Sequence, residues 1–548
     1  MRRLLLRFVG VAVCTWLEFS VFPGHTFLQA GTQLSVPMLE RLANPGFLSR
    51  DLVATHSDLE YTAYDEITLS LAEATRSGFQ QTLEFQQIAS RAAAVLGIAL
   101  LALSLGMGEV LALFISAIVN LGALLAGPGV AVVDAEAIPR ALAWGPLVLV
   151  AGLLAREKPL LAGVCAGTAL LYDPALTAPL CIWVLIALIT DRRLRRLLRP
   201  AFTVICVFAL LLANLAQLQP GIVEHQPVFS TISTSFGAIQ RFRTPHIWVT
   251  AWPRAAVFSY LMIWVSGLWA VARIWPALNR QCRWLLLALP LTGVLGLTAS
   301  YILLDRLKWA FVPHLQPAQW LVFTVAFSSL ACLAAAVKAA KRKKFIEASL
   351  WFLVPFSMPV HAELLNLRPE QLAIVIAFAA VSALCLTLFS YRRATIVLLV
   401  IPLAAIFLLG RSKPSGVPPT VDLADWVKQN TWGSSMFLFP DLGRSRAPGE
   451  FRARSQRALW VDWNSGGLVP LFPSFASVWW ERWQQTMQSG YAPQRLQSDL
   501  ALPIDYYVLT RSHRLAGIKP VFSNAEFLVY DANDLRNADG PLQTAVAR

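Results

Sequence analysis

The chain has 548 residues, 56% of them hydrophobic and only 14% charged, with a mean hydropathy of +0.56. That balance excludes a soluble globular domain and makes lipid part of the solvent. The formal charge of +14 is held in short Lys/Arg runs between apolar segments, a pattern that sets membrane topology and argues against a nucleic-acid partner.

The N-terminus, MRRLLLRFVGVAVCTWLEFSVF, has a basic flank and an apolar run without an A-x-A cleavage site, and reads as a retained first span. Residues 24–91 then form a loop too long for an ordinary connection, in which 58–90 are expected as one or two amphipathic helices on the membrane surface. Apolar runs follow near 92–107, 109–127, 141–155, 159–172, 175–190, 199–218, 256–274, 284–304, 318–337, 345–362, 371–390 and 394–410, for about thirteen spans in all. Several are short and punctuated by Gly or Pro, as expected of helices that stop at a cavity.

Alternate loops collect the basic residues: Arg2 and Arg3, Arg156 and Lys158, DRRLRRLLR from Asp191, Arg273 with Arg280 and Arg283, KAAKRKK from Lys338, and Arg392-Arg393. The loops between them hold carboxylates such as Asp51, Asp65, Glu66, Asp134, Glu136, Asp173 and Asp305. The positive-inside rule then places the N-terminus in the cytoplasm of a bacterial inner membrane and the segment after Arg411 in the periplasm. All seven cysteines lie in or beside apolar segments without CxxC spacing, so neither a disulfide framework nor a thiolate metal site is expected.

After the linker GRSKPSGVPP, residues 411–548 read as a small α/β domain appended to a transmembrane domain over 1–410. DLADWVKQN and WWERWQQTMQ are helical, and SMFLF, ALWVDW, IDYYVLT and EFLVYD are strand-like. Trp426, Trp463, Trp480 and Trp483 are expected as packing residues.

Five stretches could carry chemistry. In NPGFLSRD, Asp51 is either a general base for a hydroxyl or a helix cap. In VVDAEAIPR, Asp134 and Glu136 either bind a divalent cation or orient a sugar hydroxyl, or are outer-loop charge with Arg140 as counter-ion. Asp173 interrupts an apolar hairpin at LYDPALTAPL, where an ionised group at membrane depth costs about 2.5–3.5 kcal/mol and needs water, a partner or a task. RFRTPHIWVTAWPR gathers Arg241, Arg243, His246 and Arg254 beside Trp248 and Trp252, a composition suited to an anionic headgroup next to acyl chains. DRLKWAFVPHLQPAQW adds Lys308 and His314 to the same face.

The strings NPGFLSRD, AEAIPRALAW, LAGVCAGTALLYDP, FRTPHIW, LQPAQW, ADWVKQNT, FRARSQRALWVDW and WWERW resemble an uncharacterised bacterial family within the GT-C superfamily of membrane glycosyltransferases. The resemblance implies a polyprenyl-phosphate sugar donor, an acceptor on the non-cytoplasmic face, and an acidic first-loop residue, here Asp51, as catalytic base. Arg243, Arg254 and Lys308 would then neutralise the leaving phosphate. Two other readings use the same residues without bond cleavage: a flippase for a lipid-linked saccharide, and a non-catalytic subunit of an envelope polysaccharide assembly complex.

Overall fold

The computed structural model describes residues 2–21, 23–56, 61–122, 124–216, 227, 229–357, 418–488, 490–538 and 541–544. The expected spans at 371–390 and 394–410, and most of the linker, lie outside the described residues. Among those described, five helices are long and apolar enough to cross a membrane: Phe79–Ser104, Arg192–Leu215, Arg254–Ala277, Arg280–Arg306 and Val312–Lys341. The helices Glu109–Asn120, Pro139–Ala155, Pro159–Tyr172, Pro174–Thr190 and Phe345–Pro355 are apolar but shorter.

Small residues let these helices approach closely. A Cβ placed on Gly145 would lie 1.9 Å from the Ser90 carbonyl oxygen, so the helices Phe79–Ser104 and Pro139–Ala155 meet backbone to backbone. The helix within Val312–Lys341 is buried along nearly its whole length and forms the centre of the bundle. At the end of the bundle away from the 132–140 loop, basic residues find carboxylates: Arg7 with Glu109 at 2.5 Å, Arg273 with Glu347 at 2.5 Å, and Arg280 with Asp191 at 2.5 Å.

Of the stretch 58–90, residues 61–90 are described, and these depart from the expected surface helices from Phe79 onward. Tyr64–Thr75 is a separate helix, but from Phe79 the chain enters the span helix Phe79–Ser104 directly. Beyond the exposed Gln80 and Gln81, several of its polar residues face protein: Gln86 accepts from the Tyr172 hydroxyl at 2.7 Å, Gln87 donates to the Ala135 carbonyl at 2.8 Å, and Ser90 donates to the Ala141 carbonyl at 3.0 Å. A polar stripe matched to loop carbonyls has the same sequence signature as one matched to water.

A hairpin of β1 (Leu124–Leu125) and β2 (Val130–Ala131) leads into the 132–140 loop. Beyond the linker, β3 (Met436–Leu438), β4 (Ala458–Leu459), β5 (Tyr506–Thr510), β6 (Phe522–Ser523) and β7 (Phe527–Asp531) form one sheet in the order β4-β3-β5-β7-β6. The β3 pairings with β4 and β5 are parallel, and β7 runs antiparallel to both β5 and β6. The helices Pro419–Asn430, Ala447–Ser455 and Pro473–Thr486 belong to the same region. The strand expected over ALWVDW ends at Leu459, although Trp460 N still donates to the Phe437 carbonyl at 2.9 Å; further on, Asn464 donates to the Ala30 carbonyl of the first loop at 2.7 Å. One apolar core runs from Leu28 and Leu39 through the membrane helices to Leu468, Phe475 and Trp479.

Candidate functional site

A cavity of about 380 Å³ opens among the loops at the same end of the bundle as the 132–140 segment, within the ~300–1,000 Å³ range of small-ligand sites. Four separate stretches wall it: Gly31, Leu34 and Ser35; Ile138, Pro139 and Arg140; Asp173, Ala175 and Leu176; and His314–Gln316 with Gln319 and Trp320, while His246 closes one side. Helices begin at three of these walls with proline as the first helical residue: Pro139–Ala155, Pro174–Thr190, and the 3₁₀ turn Pro317–Trp320 that runs into Leu321–Lys341. Proline suits that position because its missing N–H is not needed there, and each start puts the positive end of a helix dipole at the cavity wall. The start of Pro139–Ala155 has no side-chain cap, which leaves it free to receive an anion.

Arg140 is the guanidinium of this cavity. Its Nε and Nη2 donate to Asp134 Oδ2 at 3.2 and 2.9 Å, and its Nη1 donates to Gln319 Oε1 at 3.0 Å. Gln319 in turn donates to Gln316, whose φ of +41° is left-handed. Such strain in a non-glycine residue directly before a proline persists only where the surroundings impose it.

Asp173 caps its helix by accepting from Leu176 N at 2.8 Å; the Thr177 hydroxyl donates to its backbone carbonyl, and no described side chain hydrogen-bonds its carboxylate. The surrounding protein pushes its pKa up, opposed by the helix amides and Arg140. The His246 ring is open to the cavity, yet the enclosing wall, with Arg243 and Arg140, brings its pKa down to about 4 and keeps it neutral near pH 7. Trp252 Nε1 donates to the His246 carbonyl at 2.8 Å and holds that turn. His314 stacks on Phe311. An apolar recess shares the walls formed by His246, Gln316 and Gln319 and is otherwise lined by residues such as Ile247, Leu304, Val312 and Pro313.

Of the residues expected to act, Arg140, Asp173, His246 and His314 meet at this cavity. Asp51 does not. It is fully buried in a seam between the first loop and the C-terminal region, where Oδ1 accepts from Val53 N and Ala54 N and Oδ2 from Leu459 N, each at 3.0 Å. Arg452, equally buried, lies 4.0 Å from Asp51 and donates to Asp462 at 2.7 Å. With its oxygens engaged and no access to the cavity, Asp51 does not fit the role of base.

Glu136 accepts from the backbone amides of Gln29, Ala30 and Gly31 at 2.7–3.0 Å and from the Thr32 hydroxyl, tying the start of the helix Thr32–Ala43 to the 132–140 loop. Asp134 is taken by Arg140, so the two carboxylates serve different partners and do not form the cation cage considered from sequence. Among the described residues no group of three or more His, Cys, Asp or Glu is placed to hold a metal ion. Arg243 docks the C-terminal region, donating to the Trp463 carbonyl at 2.7 Å with its guanidinium over the Trp463 ring at 4.5 Å. Burial foremost, then Arg444, lowers its pKa to about 10 against the pull of Asp462. Arg254 and Lys308 are exposed and do not line the cavity.

The Gly31–Ser35 wall was not anticipated. Its only local signature is a glycine ahead of a polar helix start, and the reason for that glycine lies elsewhere: a Cβ there would come within 2.4 Å of Ile138.

No protein-family model and no curated protein matches the chain. Among solved structures it is similar to ArnT from Cupriavidus metallidurans in the apo state, with 12% identity and a TM-score of 0.45, over 98% of this chain and 99% of that one. It is also similar to the archaeal oligosaccharyltransferase AglB from Archaeoglobus fulgidus in complex with an inhibitory peptide and a dolichol-phosphate, with 11% identity and a TM-score of 0.41, over 93% and 69% of the two chains. A third likeness is to the arabinofuranosyltransferase AftD from Mycobacteria, with 14% identity and a TM-score of 0.44, over 93% of this chain but 35% of that longer one. Two of the three are named as glycosyl-transferring enzymes. Identities and TM-scores at this level carry no argument about chemistry, which has to come from the cavity itself.

Proposed function

We propose that the protein is a membrane glycosyltransferase that moves a sugar from a polyprenyl-phosphate donor to an acceptor hydroxyl, with the cavity on the periplasmic side of the inner membrane. One juxtaposition carries this reading: an uncapped helix start with Arg140 in its first turn, an anion seat, shares one cavity with Asp173, an accessible carboxylate whose pKa is raised. The arrangement of basic runs in the sequence supports a position of this face outside the cytoplasm.

In the reaction, the acceptor hydroxyl passes its proton to Asp173 as its oxygen bonds to the anomeric carbon. The bond from that carbon to the phosphate oxygen breaks, and the phosphate leaves with the electron pair. A phosphate is a stable anion and needs no general acid. It needs positive potential, which Arg140, fixed by Asp134 and Gln319, and the helix amides supply without reorganising. Neutral His246 is placed to hydrogen-bond the sugar or phosphate. A single displacement inverts the anomeric configuration.

The test is incubation of the purified protein with radiolabelled polyprenyl-phosphate sugars and envelope acceptors. Asp173→Asn is expected to lower transfer by roughly 10²–10⁴-fold while donor binding persists. Because a base must be deprotonated and Asp173 is shifted upward, activity should fall on the acid side at a pH above the usual aspartate range. Undiminished transfer by Asp173→Asn would remove the proposed base, and movement of labelled lipid between leaflets without its consumption would favour a flippase.

A further inference from the structure

The C-terminal sheet carries a second cluster that the membrane cavity does not use. Strands β3 and β5 lie side by side and parallel, so their carboxyl ends open at one edge. The chain after β3 goes towards β4, and the chain after β5 goes to β6, beyond β7 on the opposite side. Diverging connections of this kind leave the crevice in which open α/β sheets hold their ligands.

Asp441 follows β3 into that crevice, and Thr510–His513 end β5. Asp441 Oδ2 accepts from Thr510 N at 2.7 Å, Thr510 Oγ1 at 2.6 Å and His513 Nδ1 at 2.8 Å. An ionised carboxylate only accepts, so the proton is assigned to His513 Nδ1, and Nε2 is left as the ring's other polar atom. The His513 side chain is 38% exposed, with Tyr491 4.4 Å from it, ring to ring. The Asp441 side chain is itself wholly buried, and its Oδ1 has no hydrogen-bond partner among the described residues.

A buried carboxylate with one unused oxygen is a costly loop staple. Its product is an imidazole of fixed tautomer and orientation at the mouth of a crevice. The two loops that form this mouth, 441–446 and 511–514, hold four arginines and a single carboxylate, the one already occupied by three donors. Arg444 is turned towards Trp463, at 4.5 Å from the ring, whereas Arg511 and Arg514 flank His513 in the chain and are exposed.

We infer that this edge is an oxyanion site, separate from the membrane cavity, in which His513 Nε2, Arg511 and Arg514 receive a phosphate or carboxylate group of a hydrophilic ligand. Asp441 balances the imidazolium when its Nε2–H donates to the anion, and the guanidinium groups add charge-assisted bonds. A phosphorylated and a uronic saccharide present the same oxyanion chemistry here. The inference does not rest on the glycosyltransferase reading.

The experiment titrates the full chain, in micelles free of phosphate, with inorganic phosphate and separately with glucuronate, following heat on binding. Saturable binding of either anion is expected, weakened about tenfold or more by His513→Gln and by the Arg511→Gln/Arg514→Gln pair. Preference for phosphate points to a phosphorylated ligand, and preference for glucuronate to a carboxylated one. Absence of saturable binding by both anions, or binding that is equal in the wild type and in both variants, overturns the site.

Discussion

Asp51 and Asp173 look alike in sequence and do the same local job. Each precedes a helix, sits in extended backbone and accepts a hydrogen bond from an amide of the first turn. They differ in what surrounds the rest of the carboxylate. Around Asp51 it is an amide of β4 and the guanidinium of Arg452, in a seam closed to water. Around Asp173 it is a cavity that also holds Arg140 and His246. A capping aspartate becomes a candidate base or a structural staple according to what the remainder of the chain brings to its second oxygen.

The largest effect expected from this comparison is on the stability of the seam. Asp51→Ala removes the cap, the Leu459 contact and part of the counter-charge for fully buried Arg452. Breaking a buried ionic cluster by deleting one member costs about 3–5 kcal/mol. Limited proteolysis should release residues beyond 418 at a lower temperature or denaturant concentration than in the wild type, while sugar transfer per folded molecule in the cold stays within roughly tenfold of wild type, since Asp51 reaches no substrate. A seam of unchanged stability combined with abolished transfer would exchange the roles of the two aspartates.

This difference explains what the sequence discloses. The apolar runs, the prolines that open helices at Pro139, Pro174 and Pro317, and the strands around Phe437, Tyr507 and Leu528 are local signals set by periodicity and backbone chemistry. So are the short strings IPR, YDP and PHI, which supply Ile138, Pro139, Arg140, Asp173 and His246 to the cavity wall. Which acid faces it is decided at a distance: the amide that claims Asp51 Oδ2 lies 408 residues along the chain, and the glutamine that orients Arg140 lies 179 residues along. Arg243, Arg254 and Lys308 misled for the same reason, because an outer-loop cation has one composition whether it docks a domain, meets solvent or holds a phosphate.

A third carboxyl in the seam gives the comparison a pH axis. Glu40 is buried beside Gln456, and burial pushes its pKa up to about 8, against the hydrogen bond from Gln456 and the charge of Lys428. Between the ordinary value of 4.5 and about 8, the folded protein keeps this proton and the unfolded chain has lost it. Stability from Glu40 is therefore fully present below pH 4.5 and falls by up to roughly 1.4 kcal/mol per pH unit as pH rises through that window, then levels off. Glu40→Gln should remove this slope. Asp65, also raised to about 8, contributes with the same sign in both proteins, so the difference between their unfolding curves isolates Glu40. Parallel curves from pH 5 to 8 would mean that Glu40 is ionised in the folded seam.

The smallest expected change is the most informative about Asp173. Asparagine caps a helix about as well as aspartate, so Asp173→Asn can keep the bond from Leu176 N and should alter stability by only a few tenths of a kcal/mol. Asp173→Ala loses the cap and should cost about 1 kcal/mol. The expected combination, a Leu176 cap that survives in Asp173→Asn with transfer that does not, assigns the carboxylate to chemistry, because the two side chains share shape and capping ability and differ in the capacity to take a proton at neutral pH. If denaturant unfolding instead shows Asp173→Asn losing as much stability as Asp51→Ala, the carboxylate is another staple, and the base must be sought among the remaining polar groups of the same cavity.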